Sequence, residues 1–216
     1  MSAETVGQAV EQVTAAPKMI SPDTFAQVLP AHLGAEKFTR WALTLLKRPD
    51  LAVVAQTDAG RLSIMSALMD CASLGLEPGR EFHLVPFKGI VTGIVDYKGE
   101  VKLIWNAVQR PVIASLVYTK DDFAMVGANT PPRHDADWFA EDGRGSIRGG
   151  YAYVDYGQQL FSLVVYMSEA DFLKHKAKSL TKTHGVWDEW PEAMRLKTLV
   201  HQLRKWVPWS AEVRQP

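Results

Sequence analysis

Hydrophobic residues recur at helical spacing in two stretches near the start of the chain. In residues 36–47 the apolar positions fall three and four apart, and a proline at position 49 ends the predicted helix. Residues 61–74 carry two apolar stripes, which predicts a helix buried on two faces, with Gly75 as its stop signal. Residues 1–22 show no sustained period, so we expect a flexible N-terminal arm there.

After residue 80 the pattern changes to short runs rich in Val, Ile and Phe. Residues 81–87 and 90–97 flank Lys88 and Gly89, a tight-turn signal, and together they predict a β-hairpin. Further elements are predicted downstream: a short helix at 99–107, a strand at 112–119, a second hairpin at 151–156 and 160–167, a helix opened by a capping box at Ser168 and ending near Lys178, and a helix from Pro191 that Pro208 ends.

The predicted strands come as hairpins and do not alternate one by one with helices. This order favours an α+β fold, with a hairpin-built antiparallel sheet packed with helices, over a doubly wound sheet. We expect one domain over residues 23–210, interrupted by an acidic loop rich in Pro, Gly and Asp at about 124–148, and a short tail at 211–216.

The composition of the 216 residues is ordinary for a soluble globular chain, with 47% hydrophobic and 22% charged residues. No apolar run reaches the roughly 20 residues of a membrane-spanning helix, and the N-terminus lacks a secretory pattern. Cys71 is the only cysteine, which excludes an intramolecular disulfide and fits a reducing cytosol. We therefore expect a cytoplasmic protein.

A formal net charge of zero hides two regions of opposite charge. Residues 121–142 are acidic, and Arg133 is the one lysine or arginine among them. Residues 174–205 are basic and contain few acids. Three interpretations stay open: two solvated faces, a phosphate-binding groove, or head-to-tail contact between acidic and basic surfaces of neighbouring subunits.

The predicted final helix aligns part of the basic region on one face. Four residues stand at positions i, i+4, i+7 and i+8, namely Lys197, His201, Arg204 and Lys205. Such a row can track a phosphate backbone, and a solvated helix face is the alternative. The basic region contributes three further candidate contacts to nucleic acid: Lys178, Lys182 and Arg195.

The first hairpin and the helix after it interleave bases with aromatic residues. That combination suits a single strand of nucleic acid, because each stacked base contributes about 1–3 kcal/mol. The candidate contacts here are Lys88, Tyr97, Lys98, Lys102, Trp105 and Arg110. Gly99 would let a ligand approach the backbone beside Lys98. The alternatives are an exposed turn lysine at position 98 and half-buried packing for Tyr97.

Signatures of enzymes are mostly absent from the sequence. There is no G-x-x-x-x-G-K-[ST] loop, no H-E-x-x-H motif and no paired-cysteine zinc spacing. His134, Asp135 and Asp137 could bind a cation, with solvation in the acidic loop as the alternative. We therefore predict no catalytic residue, no metal site and no cofactor.

Five short motifs occur in a fixed order along the chain. They are LGLEP at 74–78, HLVPF at 83–87, DYKG at 96–99, VYTKDDF at 117–123 and KTL…L…KWVP at 197–208. Their joint order and spacing resembles the RecT-type (RecT/Red beta-like) single-strand annealing recombinases of phages, over about residues 25–210. Each motif alone is unspecific, and the specificity lies in the series.

The resemblance implies an ATP-independent protein of phage or prophage recombination that coats single-stranded DNA, anneals it to a complementary strand and forms rings or helical filaments. It implies a fold like the Rad52-type annealing fold, in which a curved hairpin sheet with helices lines a nucleic-acid groove. The implied partners are single-stranded DNA and the annealed duplex intermediate, further copies of the chain, a 5′-to-3′ exonuclease of the RecE type and the host single-strand-binding protein. The implied place of action is the nucleoid of the bacterial host.

The last motif departs from the pattern of its relatives. Members of the family often have two basic residues where this chain has His201 and Gln202, and an aromatic residue where it has Arg204. We also expect no long partner-binding tail after position 210. Two other classes of function stay open: a nuclease that binds a metal through Asp135, Asp137, Glu141 and Asp142, and a scaffolding oligomer that binds no DNA.

Overall fold

The computed structural model describes residues 20–178 and 185–213. The chain divides into two compact units, Met1–Asn106 with Ser210–Pro216, and Ala107–Trp209. We call them unit 1 and unit 2. Most of the predicted N-terminal arm, residue Lys182 and the last three residues of the predicted tail lie outside the described residues. The single domain over residues 23–210 stays a prediction.

Unit 1 is a helical layer against one hairpin. Its elements are α1 (Pro22–Ala26), α2 (Ala35–Leu45), α3 (Pro49–Val54), α4 (Asp58–Ser73), β1 (Phe82–Phe87), β2 (Ile90–Val95) and α5 (Tyr97–Val108). Side chains from most of these elements form one buried core, which includes Phe25, Phe38, Leu68, Leu84 and Leu103. The two helical patterns seen in the sequence are confirmed as α2 and α4, and Ser21 and Thr57 cap α1 and α4 with their hydroxyl groups.

The predicted first hairpin is confirmed. Strands β1 and β2 pair antiparallel from Phe82 opposite Val95 to Phe87 opposite Ile90. Lys88 and Gly89 make the turn with φ angles of 49° and 81°. Two-residue hairpin loops favour such left-handed backbone, because its twist matches the twist of the flanking strands.

Unit 2 is an antiparallel sheet covered by helices. Its elements are β3 (Val112–Tyr118), β4 (Asp122–Ala124), β5 (Arg133–Asp135), β6 (Ile147–Gly157), β7 (Leu160–Phe161), β8 (Val165–Ser168), α6 (Glu169–Ala177), α7 (Val186–Glu189) and α8 (Pro191–Leu203). The long strand β6 pairs with β3, β7 and β8, while β4 and β5 form a separate ladder. Because every paired strand is antiparallel and helices accompany the sheets, the predicted α+β class is confirmed.

Several boundaries differ from the sequence prediction. Helix α5 begins at Tyr97, so Tyr97 and Lys98 belong to its first turn and not to a strand end. Helix α8 ends at Leu203, with Arg204 as its C-cap, and not just before Pro208. The acidic loop at 124–148 contains strand β5 and the start of β6. Helices α1, α3 and α7 were not predicted.

Within the described part of the chain, no helix has the length and apolar character needed to cross a membrane.

Candidate nucleic-acid interface

Unit 1 exposes two lysines on short, well-defined elements. Lys88 lies at the tip of the hairpin with its ammonium group 5.3 Å from the centre of the Phe87 ring. Lys98 is exposed in the first turn of α5, where its backbone N–H donates to the Asp96 carboxylate at 3.1 Å. Tyr97 is half-buried and Trp105 is 46% exposed. The hairpin turn and the start of α5 therefore each fix the backbone of one exposed cation.

Gly99 does not provide an approach for a ligand. A Cβ at this position would lie 2.5 Å from the carbonyl oxygen of Glu81, and the residue is buried. The glycine is needed because the segment before β1 packs directly on α5. The expectation of a ligand-accessible backbone beside Lys98 is wrong for this reason.

Lys102 is occupied inside unit 1. Its ammonium group donates to the Gly75 carbonyl oxygen at 2.9 Å and to a Glu81 carboxylate oxygen at 2.8 Å. These bonds tie α5 to the end of α4 and to the segment before β1. We therefore leave Lys102 out of the proposed contacts to nucleic acid.

Arg195 has a comparable structural role in unit 2. The residue is only 8% exposed, its Nε donates to Glu169 at 2.8 Å and its Nη1 donates to the Pro191 carbonyl oxygen at 2.8 Å. The hydrogen bonds to Glu169 raise the pKa of the Arg195 guanidinium. A buried guanidinium paired in this way cannot also reach a phosphate, so the prediction of a contact at Arg195 is corrected.

The end of α8 carries a group of basic residues, of which His201 and Lys205 are exposed and Arg204 is partly exposed. A pocket of about 230 Å³ opens there, lined by His201, Arg204, Lys205, Val207 and Trp209; we call it the α8 pocket. The Arg204 guanidinium lies 4.8 Å from the centre of the Trp209 ring, and Lys205 donates to Gln202 at 2.7 Å. Trp206 beside the pocket is 65% exposed.

The C-terminal end of α6 extends this positive surface. Partial desolvation, and then the positive charges of its neighbours, lowers the pKa of His175, which is exposed. The neighbours that act in this direction are Lys178, Lys205 and His201. We call His175, Lys178, His201, Arg204 and Lys205 the basic cluster. The ends of α6 and α8 thus contribute to one positive surface. It contains Lys178 and three residues of the row predicted on the final helix: His201, Arg204 and Lys205.

The remaining candidates are less closely grouped. Lys197 is half-buried on α8, four residues before His201. Arg110 is exposed, and its guanidinium packs closely against Gly157. A Cβ atom added to that glycine would lie 3.3 Å from Arg110 Nη1. Arg110 therefore lies beside the end of strand β6.

A buried charge network lies at the base of the acidic loop and was not predicted from the sequence. The Asp121 side chain is 1% exposed and accepts hydrogen bonds from the Tyr118 backbone N–H at 2.7 Å and from Arg144 Nε at 2.9 Å. His134 Nε2 lies 3.0 Å from the same carboxylate. Burial alone would raise the pKa of Asp121, but the hydrogen bonds from Arg144, Tyr118 and His134 lower it far below its usual range.

Arg144 also orders the aromatic residues above this network. Its guanidinium lies 4.4 Å from the centre of the Tyr118 ring and 4.2 Å from the centre of the Trp138 ring. The indole is nevertheless 67% exposed, and the neighbouring Phe139 is 94% exposed. The loop therefore presents two aromatic side chains to solvent from a fixed base.

The acids of the loop are dispersed among other partners. Asp142 pairs with Lys120 at 2.5 Å, Asp137 accepts from the Phe139 backbone N–H at 3.0 Å, and Asp135 lies in strand β5. His134 turns inward, toward Asp121 and the Tyr151 hydroxyl group. Among residues 20–178 and 185–213, no group of three or more His, Cys, Asp or Glu residues could hold a metal ion.

Comparison with known proteins places these features in a family. The family model described as the RecT family matches residues 36–215, which include the hairpin, the acidic loop and the basic cluster. The chain belongs to the RecT family. It is 27% identical over 209 residues to Protein RecT of Escherichia coli (strain K12), covering 89% of this chain and 74% of that protein. RecT-family membership confirms the resemblance found in the five motifs and supports a function in recombination and strand annealing.

Membership also bears on mechanism and partners. RecT-family proteins are annealing proteins and generally not catalytic enzymes, and the family suggests DNA binding and oligomerisation. The individual contact residues follow from the geometry described above and not from the family match.

Proposed function

We propose that this RecT-family chain binds single-stranded DNA and anneals complementary strands without ATP and without covalent chemistry, as an oligomeric ring or filament. The observation that carries the proposal is the basic cluster with exposed Trp206 and Trp209 beside it. No Asp or Glu occurs between Glu192 and Glu212, so this part of the sequence carries an excess of basic residues. Cations beside aromatic faces are the combination that single strands require.

Annealing needs no chemical step, because base pairing supplies the free energy. The protein must reduce the phosphate repulsion between two strands and keep the bases accessible to each other. The basic cluster would neutralise phosphates, and Lys197 on α8 would continue the row. Trp206 and Trp209 would offer faces on which bases stack.

Exposed cations outside the basic cluster would add further contacts. These are Lys88 at the hairpin tip, Lys98 on α5 and Arg110 beside the end of β6. Tyr97 and Trp105 would order bases near Lys98. Each phosphate contact on a single strand contributes about 0.7 to the slope of log affinity against log salt concentration, so the contacts can be counted one at a time.

The salt slope therefore tests the proposal. Fluorescence anisotropy of a labelled oligothymidylate would be measured over a range of salt concentrations for the wild type and for Lys98→Ala, Lys205→Ala and Lys88→Asn. Asparagine is chosen at position 88 because it tolerates the left-handed turn. Each variant should lose about 0.7 from the slope. An unchanged slope removes that residue from the contacts, and the absence of binding at low salt would favour a scaffolding oligomer.

A second test addresses the alternative of a metal-dependent nuclease. Incubation of labelled single-stranded DNA with Mg²⁺ or Mn²⁺ should leave the strand intact. Cleavage would contradict annealing as the sole activity. As further parts of the proposal, the partners would be a 5′-to-3′ exonuclease of the RecE type and the host single-strand-binding protein, and the site of action would be the nucleoid of a bacterial cell.

A further inference from the structure

The acidic loop ends in an exposed aromatic pair. We call residues 135–142 the acidic tip; it contains Trp138 and Phe139 flanked by Asp137 and Glu141. Phe139 is 94% exposed and Trp138 is 67% exposed. Large aromatic side chains that stand together in solvent mark interaction surfaces, and aromatic anchors dominate the free energy of many protein interfaces.

The acidic tip is ordered before it meets a partner. Trp138 lies on Arg144, which the buried Asp121 holds in place. The Phe139 backbone N–H donates to Asp137 at 3.0 Å, and the Gly143 N–H donates to the Ala140 carbonyl oxygen at 2.9 Å. A binding segment that is already ordered loses less conformational entropy on association, so its exposed ring can act as an anchor.

The acidic tip combines exposed aromatic rings with carboxylates. A surface complementary to it is therefore a cationic pocket with an apolar floor. The α8 pocket has this character, because Val207 and Trp209 provide apolar surface while His201, Arg204 and Lys205 provide the charge. Its volume of about 230 Å³ exceeds the cavity of about 150 Å³ that holds a benzene ring in another protein. A phenyl ring can therefore enter while the flanking carboxylates meet the cations at the rim.

We infer that the acidic tip of one copy of the chain docks on the α8 pocket of the next copy, with Phe139 as the anchor. The two surfaces are different patches of the same unit, so the contact is heterologous and leaves one free tip and one free pocket at the ends of every open assembly. Such contacts propagate into rings or filaments. The inference rests on the oligomeric part of the proposed function and adds to it an interface that acts in the DNA-free protein.

The carboxylates of the acidic tip would use the same cations as a DNA phosphate. Arg204 and Lys205 cannot serve both at once, so the contact belongs to the DNA-free protein and single-stranded DNA competes with it. Because the rim is charged and exposed, the contact weakens as salt shortens the Debye length from about 10 Å at 0.1 M to about 3 Å at 1 M.

A mixing experiment with two variants of the full chain tests the inference. Phe139→Ser disables the tip and keeps the pocket, whereas Lys205→Glu disables the pocket and keeps the tip. Light scattering at low salt, without DNA, should show that the mass of the wild type rises with concentration. Each variant alone should associate more weakly by roughly tenfold or more, as expected for the loss of an anchor residue. Leu160→Ser is the matched control, because Leu160 is another exposed apolar residue of unit 2, at 63% exposure; it should behave as the wild type.

The mixture of the two variants gives the decisive result. One intact tip and one intact pocket remain, so the mixture should form a species of twice the 24.0 kDa chain mass and grow no further. A short oligothymidylate should dissociate this dimer. Variants that associate like the wild type, or a mixture that stays monomeric, would overturn the docking; a dimer that persists in saturating DNA would overturn the shared use of the pocket.

The failure of this inference can be told apart from the failure of DNA binding. At chain concentrations below those of self-association, where no docked tip competes for the pocket, Phe139→Ser should bind an oligothymidylate long enough for one copy with unchanged affinity, because Phe139 lies outside the proposed DNA contacts. A wild type that stays monomeric without DNA but binds the oligonucleotide would overturn the docking and leave the DNA-binding proposal standing.

Discussion

Arg144 and Asp121 form a buried ion pair with two hydrogen bonds, from Nε at 2.9 Å and from Nη2 at 2.6 Å. The Arg144 and Asp121 side chains are 13% and 1% exposed. The pair joins the end of β3 to the last part of the acidic loop, 23 residues further along the chain. Both the ordered base of the loop and the position of Trp138 depend on it.

Replacement of Asp121 by asparagine should destabilise the protein strongly. Removing one partner of a buried pair leaves an uncompensated charge and costs about 3–5 kcal/mol. Urea denaturation would measure the change in the free energy of unfolding. Asp122→Asn is the matched control, because Asp122 pairs with Arg133 at 2.9 Å on the surface, with both side chains well exposed; an exposed pair contributes about 0–1 kcal/mol.

The contribution of Asp121 should also depend on pH in a defined direction. Its pKa in the folded protein is lowered, so the stabilisation is present above the unfolded value of about 3.9 and is lost as the pH falls toward the folded value. The difference between the wild type and Asp121→Asn should therefore shrink below about pH 4. A difference that is constant from pH 7 to pH 3 would contradict the assignment.

Lys98 and Lys102 should behave in opposite ways, although both were predicted as contacts to DNA. Lys102→Ala removes the donor to Gly75 and Glu81, which should lower the free energy of unfolding by about 1–3 kcal/mol and leave the salt slope of DNA binding unchanged. Lys98→Ala should lower the slope by about 0.7 and barely affect stability. Urea denaturation and anisotropy titrations of the same two preparations check both statements, and a lowered slope for Lys102→Ala would restore that residue to the contacts.

Gly99→Ala should destabilise unit 1 through a steric clash. The added Cβ would lie 2.5 Å from the Glu81 carbonyl oxygen, which is backbone and cannot rotate away. Overpacking of this kind costs about 1–3 kcal/mol, measurable by urea denaturation. Gly127→Ala is the control, because the nearest atom to its Cβ would be the Thr130 hydroxyl oxygen at 3.4 Å. Equal stability of the two variants would show that β1 and α5 can move apart freely.

His175 reports the electrostatic potential of the basic cluster. Its pKa in the folded protein lies below the unfolded value of about 6.5, so the neutral ring is favoured and the protein loses stability as the pH falls through 6.5 toward the folded value. Lys205→Ala should raise the pKa of His175, and so should bound single-stranded DNA, because each makes the surroundings less positive. NMR titration of the imidazole signals measures this, with Lys120→Ala as a control because Lys120 pairs with Asp142. If the pKa of His175 stays the same in both experiments, His175 is not part of the DNA-binding surface.

The sequence predicted the elements whose signal is local. The Lys-Gly turn with flanking β-branched residues predicted the first hairpin, and apolar periodicity predicted α2 and α4. The apolar period continues to Val207, but α8 ends at Leu203 with Arg204 as its C-cap, so the apolar pattern extends beyond the helix. Strands of three residues, such as β4 and β5, are too short to show an alternating pattern.

The site could be predicted only in part, because the sequence shows which residues are charged but not which residues they pair with. Asp121 was counted in the acidic segment 121–142, for which three interpretations stayed open, and its partner Arg144 stands outside that segment in sequence. Lys102 and Arg195 were counted as free cations, yet each is held by a glutamate far away along the chain. Lys178 and Lys205 lie on the same surface because α6 and α8 pack near each other. The spacing of residues in the sequence does not predict that packing.

The most direct measurement of the central claim is the rate at which two complementary oligonucleotides anneal, followed by fluorescence quenching, in EDTA and without ATP. The wild type should accelerate annealing, and Lys178→Ala combined with Lys205→Ala should lose most of this acceleration while keeping the free energy of unfolding of the wild type. Annealing that the wild type does not accelerate, or that the double variant accelerates equally well, would contradict the account.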